Sequence, residues 1–240
     1  DVMTGELLPP VTLSEHAHVA ALAVYPPTHQ VVIVYHDERR QLGKLALAYA
    51  GGQVDPLLTL PDYYDLDLHS VAATYDPDTH HLLLTVYDSR EKSYAIVVVD
   101  VAAARIVRHN ALGRLCQDVT PTFIAYQHNS RTLLGGAYDA SFYFWVLVIT
   151  PATGSCIKRV LKGVQPPVVC WSLDALSQKL YFETESAHGA TIHVWDVPSH
   201  KFDRHVSLRA PLLESMEVGV APVRGTTTGP RPPFPTTTTT

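Results

Sequence analysis

A unit of about fifty residues recurs along the chain, and no other feature of the sequence constrains the fold as much. The segments AALAVYPPTHQVVIVYH, VAATYDPDTHHLLLTVYD, TFIAYQHNSRTLLGGAYD and VVCWSLDALSQKLYFETE share one form: an apolar run, a polar turn and a second apolar run. Their anchor residues, Tyr25, Tyr75, Tyr126 and Ser172, stand 50, 51 and 46 residues apart, and a partial fifth copy, MEVGVAPV, places Val220 or Ala221 at the same point. A second landmark keeps the same phase. Each copy continues into another apolar run that ends at Asp100, Thr150 or Asp196, and DVMTGELLPPVTL matches the end of that unit with Asp1 in register.

The runs last five to eight residues, are rich in Val, Ile, Tyr, Phe and Thr, and are bounded by Pro, Asp, Gly, His and Ser. Such segments are strands, and nothing in the chain holds a helical period. Four short strands per unit with tight turns between them make the blade of a β-propeller. A β-sandwich also has short strands at regular spacing, but it gives no reason for two landmarks to recur in phase. The fold expected is therefore all-β.

At these residues the chain resembles known propeller families. Trp195-Asp196 in TIHVWDV is similar to the Trp-Asp pair that closes the third strand of a WD40 blade. VITPATGSCIKRV and DVMTGELLPPV resemble the third-to-fourth strand turn of YVTN-type, quinoprotein-like propellers. The resemblance covers residues 1 to about 223 and implies the fold only. Propellers of this kind often close by building one blade from both chain ends. Here residues 1–13 would supply outer strands and residues 213–223 an inner one, giving four complete blades and one composite, in a five-bladed ring or part of a larger one. A composite blade short of strands leaves edges that a second copy can complete.

The domains expected are a propeller over 1–223 and a Thr/Pro tail over 224–240. The tail sets Thr226, Thr227, Thr228, Thr236, Thr237, Thr238, Thr239 and Thr240 among four prolines, the composition of an extended, O-glycosylated stalk. Asn110 and Asn129 are the only asparagines and neither begins an Asn-x-Ser/Thr sequon, so O-linkage is the route open to a glycan. An extracellular or cell-surface location follows as an expectation.

Eighteen basic against 23 acidic residues, a formal charge of −5, give no reason to seek nucleic acid. No run approaches the roughly 20 apolar residues of a spanning helix. Cys116, Cys156 and Cys170 lack CxxC spacing, allow at most one internal disulfide and leave its pairing open.

Candidate binding residues cluster just before the inner strands. Glu15 and His16, then Asp65, Asp67 and His69, then Asp118 are expected to line one mouth of the channel, where carboxylates and imidazoles suit a cation or sugar hydroxyls. Tyr63 and Tyr64, beside Asp62 and Asp65, read as a loop platform for sugar rings. His29, His80 and His128 fall at one phase of the first turn, which argues for turn chemistry. No GxSxG, Walker A, GxGxxG or HExxH motif occurs, so no catalytic residue or cofactor is assigned and no metal is specified. The function expected is a non-enzymatic extracellular structural or adhesive module, whose partners are other protein subunits, its own copies included, or glycans. A lectin-like or scaffold propeller is the alternative, and a channel-mouth enzyme ranks third.

Overall fold

The structure, a computed structural model, describes residues 10–66, 70–160, 168–174, 177–186, 189–199 and 201–208. Among the described residues seventeen strands form four antiparallel sheets in chain order, and the architecture is a β-propeller. Blade one is β1 (Ala17–Tyr25), β2 (Gln30–Asp37), β3 (Leu42–Ala48) and β4 (Val54–Thr59). Blade two pairs β7 (His81–Asp88), β8 (Ser93–Asp100) and β9 (Arg105–Ala111). Its inner edge is split into β5 (Tyr64–Asp65) and β6 (Ala72–Asp76), both paired to β7. Blade three is β10 (Val119–Gln127), β11 (Thr132–Asp139), β12 (Phe144–Ile149) and β13 (Cys156–Val160). Blade four is β14 (Val168–Asp174), β15 (Lys179–Ser186), β16 (Gly189–Asp196) and β17 (Lys201–Leu208).

The repeat landmarks map onto equivalent places. Tyr25, Tyr75, Tyr126 and Ser172 lie on the innermost strands, and Asp100, Thr150 and Asp196 stand at the ends of the third strands. Of residues 1–13 and 213–223, which the sequence assigns to a composite blade, residues 10–13 form no strand and the others lie outside the described residues, as does the Thr/Pro tail with its candidate glycan acceptors.

Turn chemistry explains where the strands stop. Seven aspartates, Asp37, Asp76, Asp88, Asp100, Asp139, Asp174 and Asp196, end strands and accept backbone N–H groups two or three residues on. This local bond competes with the ladder and folds the chain back. Several turns then close on a left-handed residue, among them His29, His80, Lys92 and Arg131. Two of the phase-locked histidines are thus turn residues, and His is among the types that tolerate this conformation.

Alternation along each strand sends side chains to both neighbouring blades. In β8, Val97 and Val99 join Val32, Val34 and Leu45 of blade one, while Tyr94, Ile96 and Val98 join Ile124, Leu133 and Leu147 of blade three. A third cluster packs Phe144 and Val146 of blade three on Phe182 and Trp195 of blade four. Each fully buried Leu, Val, Ile or Phe in these layers contributes about 1.5–3 kcal/mol. Cys116, in a 3₁₀ turn at Arg114–Cys116 between blades two and three, forms a disulfide with Cys156 on β13.

Candidate functional site

The innermost strands β1, β6, β10 and β14 together line a cavity of about 550 Å³, the central channel. Its wall includes Leu22 and Val24 of β1, Tyr75 of β6, Tyr126 of β10 and Trp171 of β14. Val19, Leu22 and Val24 are 52%, 59% and 63% exposed, so β1 presents an apolar strip to solvent beside the channel. On the rim formed by the first turns, Asp78 accepts the Tyr126 hydroxyl at 2.8 Å and faces His128 Nδ1 at 2.8 Å. Burial, then the bond to Asp78, raises the Tyr126 phenol well above its ordinary range, so it stays a protonated donor.

The acidic and histidine positions before the inner strands form local pairs. His16 Nε2 lies 3.0 Å from Glu15, and Arg39 reaches Glu15 at 3.3 Å. Lys158 Nζ lies 2.6 Å from both oxygens of Asp118. Asp65 belongs to β5, whereas Asp67 and His69 lie outside the described residues. The nearby Lys44 ammonium bonds Asp37 at 2.5 Å and holds that carboxyl below the usual carboxylate range. Glu15 and Asp118 are thus partly neutralised by cations of their own blades.

Tyr63 and Tyr64 differ from the expected loop platform. The two residues of β5 pair with Asp88 and Tyr87, and this pairing turns Tyr64 into the core, 4% exposed. Its ring stacks on His109 at 5.6 Å, its hydroxyl lies 2.6 Å from His109 Nδ1, and burial raises it far above the ordinary phenol range. Tyr64 therefore offers no free face to a sugar. Tyr63 is half-buried under the Arg90 guanidinium, 3.2 Å from its ring centroid.

Around these tyrosines stand residues that the sequence did not single out. Asp88, fully buried, accepts the backbone N–H groups of Arg90 and Glu91 and the Arg90 side chain. Burial alone would raise its carboxyl, but those bonds outweigh burial and hold it below the ordinary value. His109 Nε2 is buried without a hydrogen-bond partner and lies 3.7 Å from Asp88 Oδ2 and 3.8 Å from Glu91 Oε2. Together Asp88, Glu91 and His109 could hold a metal ion. In the sequence His109, on outer strand β9, falls at the same repeat phase as His205, each nine residues after Asp100 or Asp196, but nothing in that spacing links it to Asp88 and Glu91. The available signals were that shared phase and the Tyr63-Tyr64 pair, whose partners were not legible.

Phe142 and Tyr143 sit exposed at the β11–β12 turn, whereas Phe144 is core and Trp145 Nε1 donates to Asp139 at 2.9 Å. Cys170 Sγ donates to Glu183 at 3.2 Å, and burial followed by this bond pushes its thiol up to about 11.

No family model and no curated protein sequence matches the chain. Solved structures do resemble it. The Dos1 propeller aligns over 87% of this chain and 53% of its own, at 8% identity and TM-score 0.56. TolB from Acinetobacter baumannii aligns over 80% of this chain and 43% of its own, at 13% identity and TM-score 0.55. A gluconolactonase from Xanthomonas campestris aligns over 89% and 76%, at 13% identity and TM-score 0.54. The chain thus spans about half the length of the first two. At such identities the likeness concerns the fold.

Proposed function

We propose that the chain is a non-enzymatic extracellular interaction module that assembles with other protein subunits, a second copy of itself first among them. The observation that carries this reading is the exposed apolar strip Val19, Leu22 and Val24 on the inner strand of blade one. Apolar side chains in such a row beside a channel favour a protein partner over water. The extracellular part rests on the Cys116–Cys156 disulfide and on the Thr/Pro composition of residues 224–240, which we read as an O-glycosylated stalk. The propeller then serves as an adhesive or structural head, and the repeated mouth residues act as solvated pairs.

Light scattering on the size-separated protein tests the assembly. The chain should form concentration-dependent species above its 26.4 kDa, and Leu22→Asp with Val24→Asp should return it to a monomer. A wild-type monomer at every concentration would refute self-association. Intact-mass measurement of the natively secreted protein tests the stalk, since an unmodified 26.4 kDa chain would sink that part.

A further inference from the structure

We propose that Asp88, Glu91 and His109 form a binding site for one first-row divalent cation of the Zn²⁺ type. The site does not rest on the assembly reading above, because none of its three ligands belongs to β1.

The geometry argues for a cation between these groups. At 3.7 and 3.8 Å, His109 Nε2 is too far from Asp88 Oδ2 and Glu91 Oε2 for hydrogen bonds. Ligand atoms about 2.0–2.2 Å from a common ion, at the tetrahedral angle of about 109°, stand roughly 3.3–3.6 Å apart, so both separations need to close by only a few tenths of an ångström around an ion. All three ligand atoms lie within 4.8 Å of one another. The Nε2 atom is buried and lacks a hydrogen-bond partner, a state that costs free energy unless something fills it.

The surroundings prepare the imidazole as a ligand. For Nε2 to present its lone pair, Nδ1 must carry the proton, and the Tyr64 hydroxyl oxygen at 2.6 Å is placed to accept it. Metal-bound histidines are commonly held through the opposite ring nitrogen in this way. Tyr64 is itself fixed by core packing and by the β5–β7 pairing, so the ring orientation is set before any ion arrives. Asp88 is oriented by the Arg90 and Glu91 amides through Oδ1, and Oδ2 keeps a lone pair beyond the one that accepts Arg90 Nη2 at 3.3 Å.

Charge sets the class of ion. Two carboxylates against one guanidinium leave one negative charge beside a neutral imidazole, which a divalent cation more than offsets. A mixed nitrogen–oxygen set of three suits Zn²⁺, whereas Ca²⁺ requires six to eight oxygens. Glu91 is half-exposed and gives the ion an entry path, and water would complete the coordination. The bound ion would clip the β7–β8 turn to outer strand β9, which otherwise has a ladder partner on one side only.

The test uses the full chain stripped with EDTA and titrated with Zn²⁺ alone. Calorimetry should show one equivalent bound, and at a hundredfold excess over Kd the Tm should rise by about 5–10 °C. Ca²⁺ at the same concentration should leave Tm unchanged. Glu91→Gln alters a half-exposed side chain and should keep the fold while removing the Zn²⁺-dependent rise, as should His109→Gln. His18→Gln, which breaks the exposed His18–Glu38 pair, should retain it. The proposal is overturned if Zn²⁺ produces no shift, if Ca²⁺ produces the same shift, or if the rise survives in Glu91→Gln and His109→Gln or vanishes in His18→Gln. A competing arrangement, with a proton on Nε2 bridging the carboxylates, would also leave Zn²⁺ without effect.

Discussion

Removing the Cys116–Cys156 bridge should destabilise the propeller by about 4 kcal/mol. The bridged residues are 40 apart in sequence, and closing a loop of that length in the unfolded chain costs about 13 cal/mol/K, or roughly 4 kcal/mol at 25 °C. Both cysteines are buried, at 0% and 5% exposure, within the layer between blades two and three. The bridge pins β13, whose ladder runs to β12 alone, to the turn that leads into β10. With a urea m-value of roughly 2–3 kcal/mol/M, the double variant Cys116→Ala/Cys156→Ala should unfold at a midpoint about 1.3–2 M lower. The Ala pair also creates a small cavity, so the wild type unfolded in a reducing agent provides a cavity-free comparison. Both should shift in the same direction by similar amounts. If oxidised and reduced wild type unfold at the same urea concentration, the bridge does not constrain the unfolded chain.

Gly136→Ala should destabilise blade three by about 1–3 kcal/mol or more in thermal unfolding, because the new Cβ would lie 2.2 Å from a Phe123 ring carbon and 2.7 Å from one of Phe144. A gain of roughly 0.5–1 kcal/mol from replacing a strand glycine is too small to reverse the sign, so a stabilised variant would contradict the packing. His193 is held below its ordinary value by burial and then by His205. The unfolded chain therefore takes up that proton first, so the contribution is complete above about pH 6.5 and declines as pH falls toward the lower folded value. His193→Gln should flatten the urea midpoint between pH 7 and 5, and an unchanged slope would discard His193 as its source. Because its thiol is pushed up to about 11, Cys170 should react slowly with iodoacetamide at pH 8 in the native chain, and faster in Glu183→Gln. Equal labelling rates by mass spectrometry would refute the role of Glu183.

The fold was legible because its determinants are local and repeated. An aspartate that ends a strand and caps the following turn acts within three residues, and Asp37, Asp88 and Asp139, each 51 residues from the next at the end of a second strand, display the period. The site was less legible, because its members meet through register. Tyr64 looks like a loop residue between Asp62 and Asp65, yet two residues of pairing with β7 suffice to bury it. Asp88 and His109 are 21 residues apart, on β7 and β9 with β8 between them, and no spacing rule connects them. The cysteine pairing was hidden for the same reason. Cys116 and Cys156 become neighbours only once the turn after β9 packs against the outer strand of blade three.

A repeat protein of this kind draws its stability from layers between adjacent blades. Among the described residues, blades two and three are covered on both faces, while the clusters involving blades one and four each reach one neighbour. The strip Val19, Leu22 and Val24 lies on the face of β1 opposite Ala23 and Tyr25, which pack on blade two, and that division separates docking from folding in an experiment. Leu22 and Val24 are already 59% and 63% exposed, so each keeps well under half of the 1.5–3 kcal/mol that full burial contributes. Replacing either with Asp should cost the folded chain only about 1 kcal/mol. In an assembled state the same carboxylate would be buried without a partner, at a penalty of several kcal/mol. The Asp variants should thus lose association while unfolding close to the wild-type midpoint. A variant that lost both together would show that β1 serves the core rather than a partner.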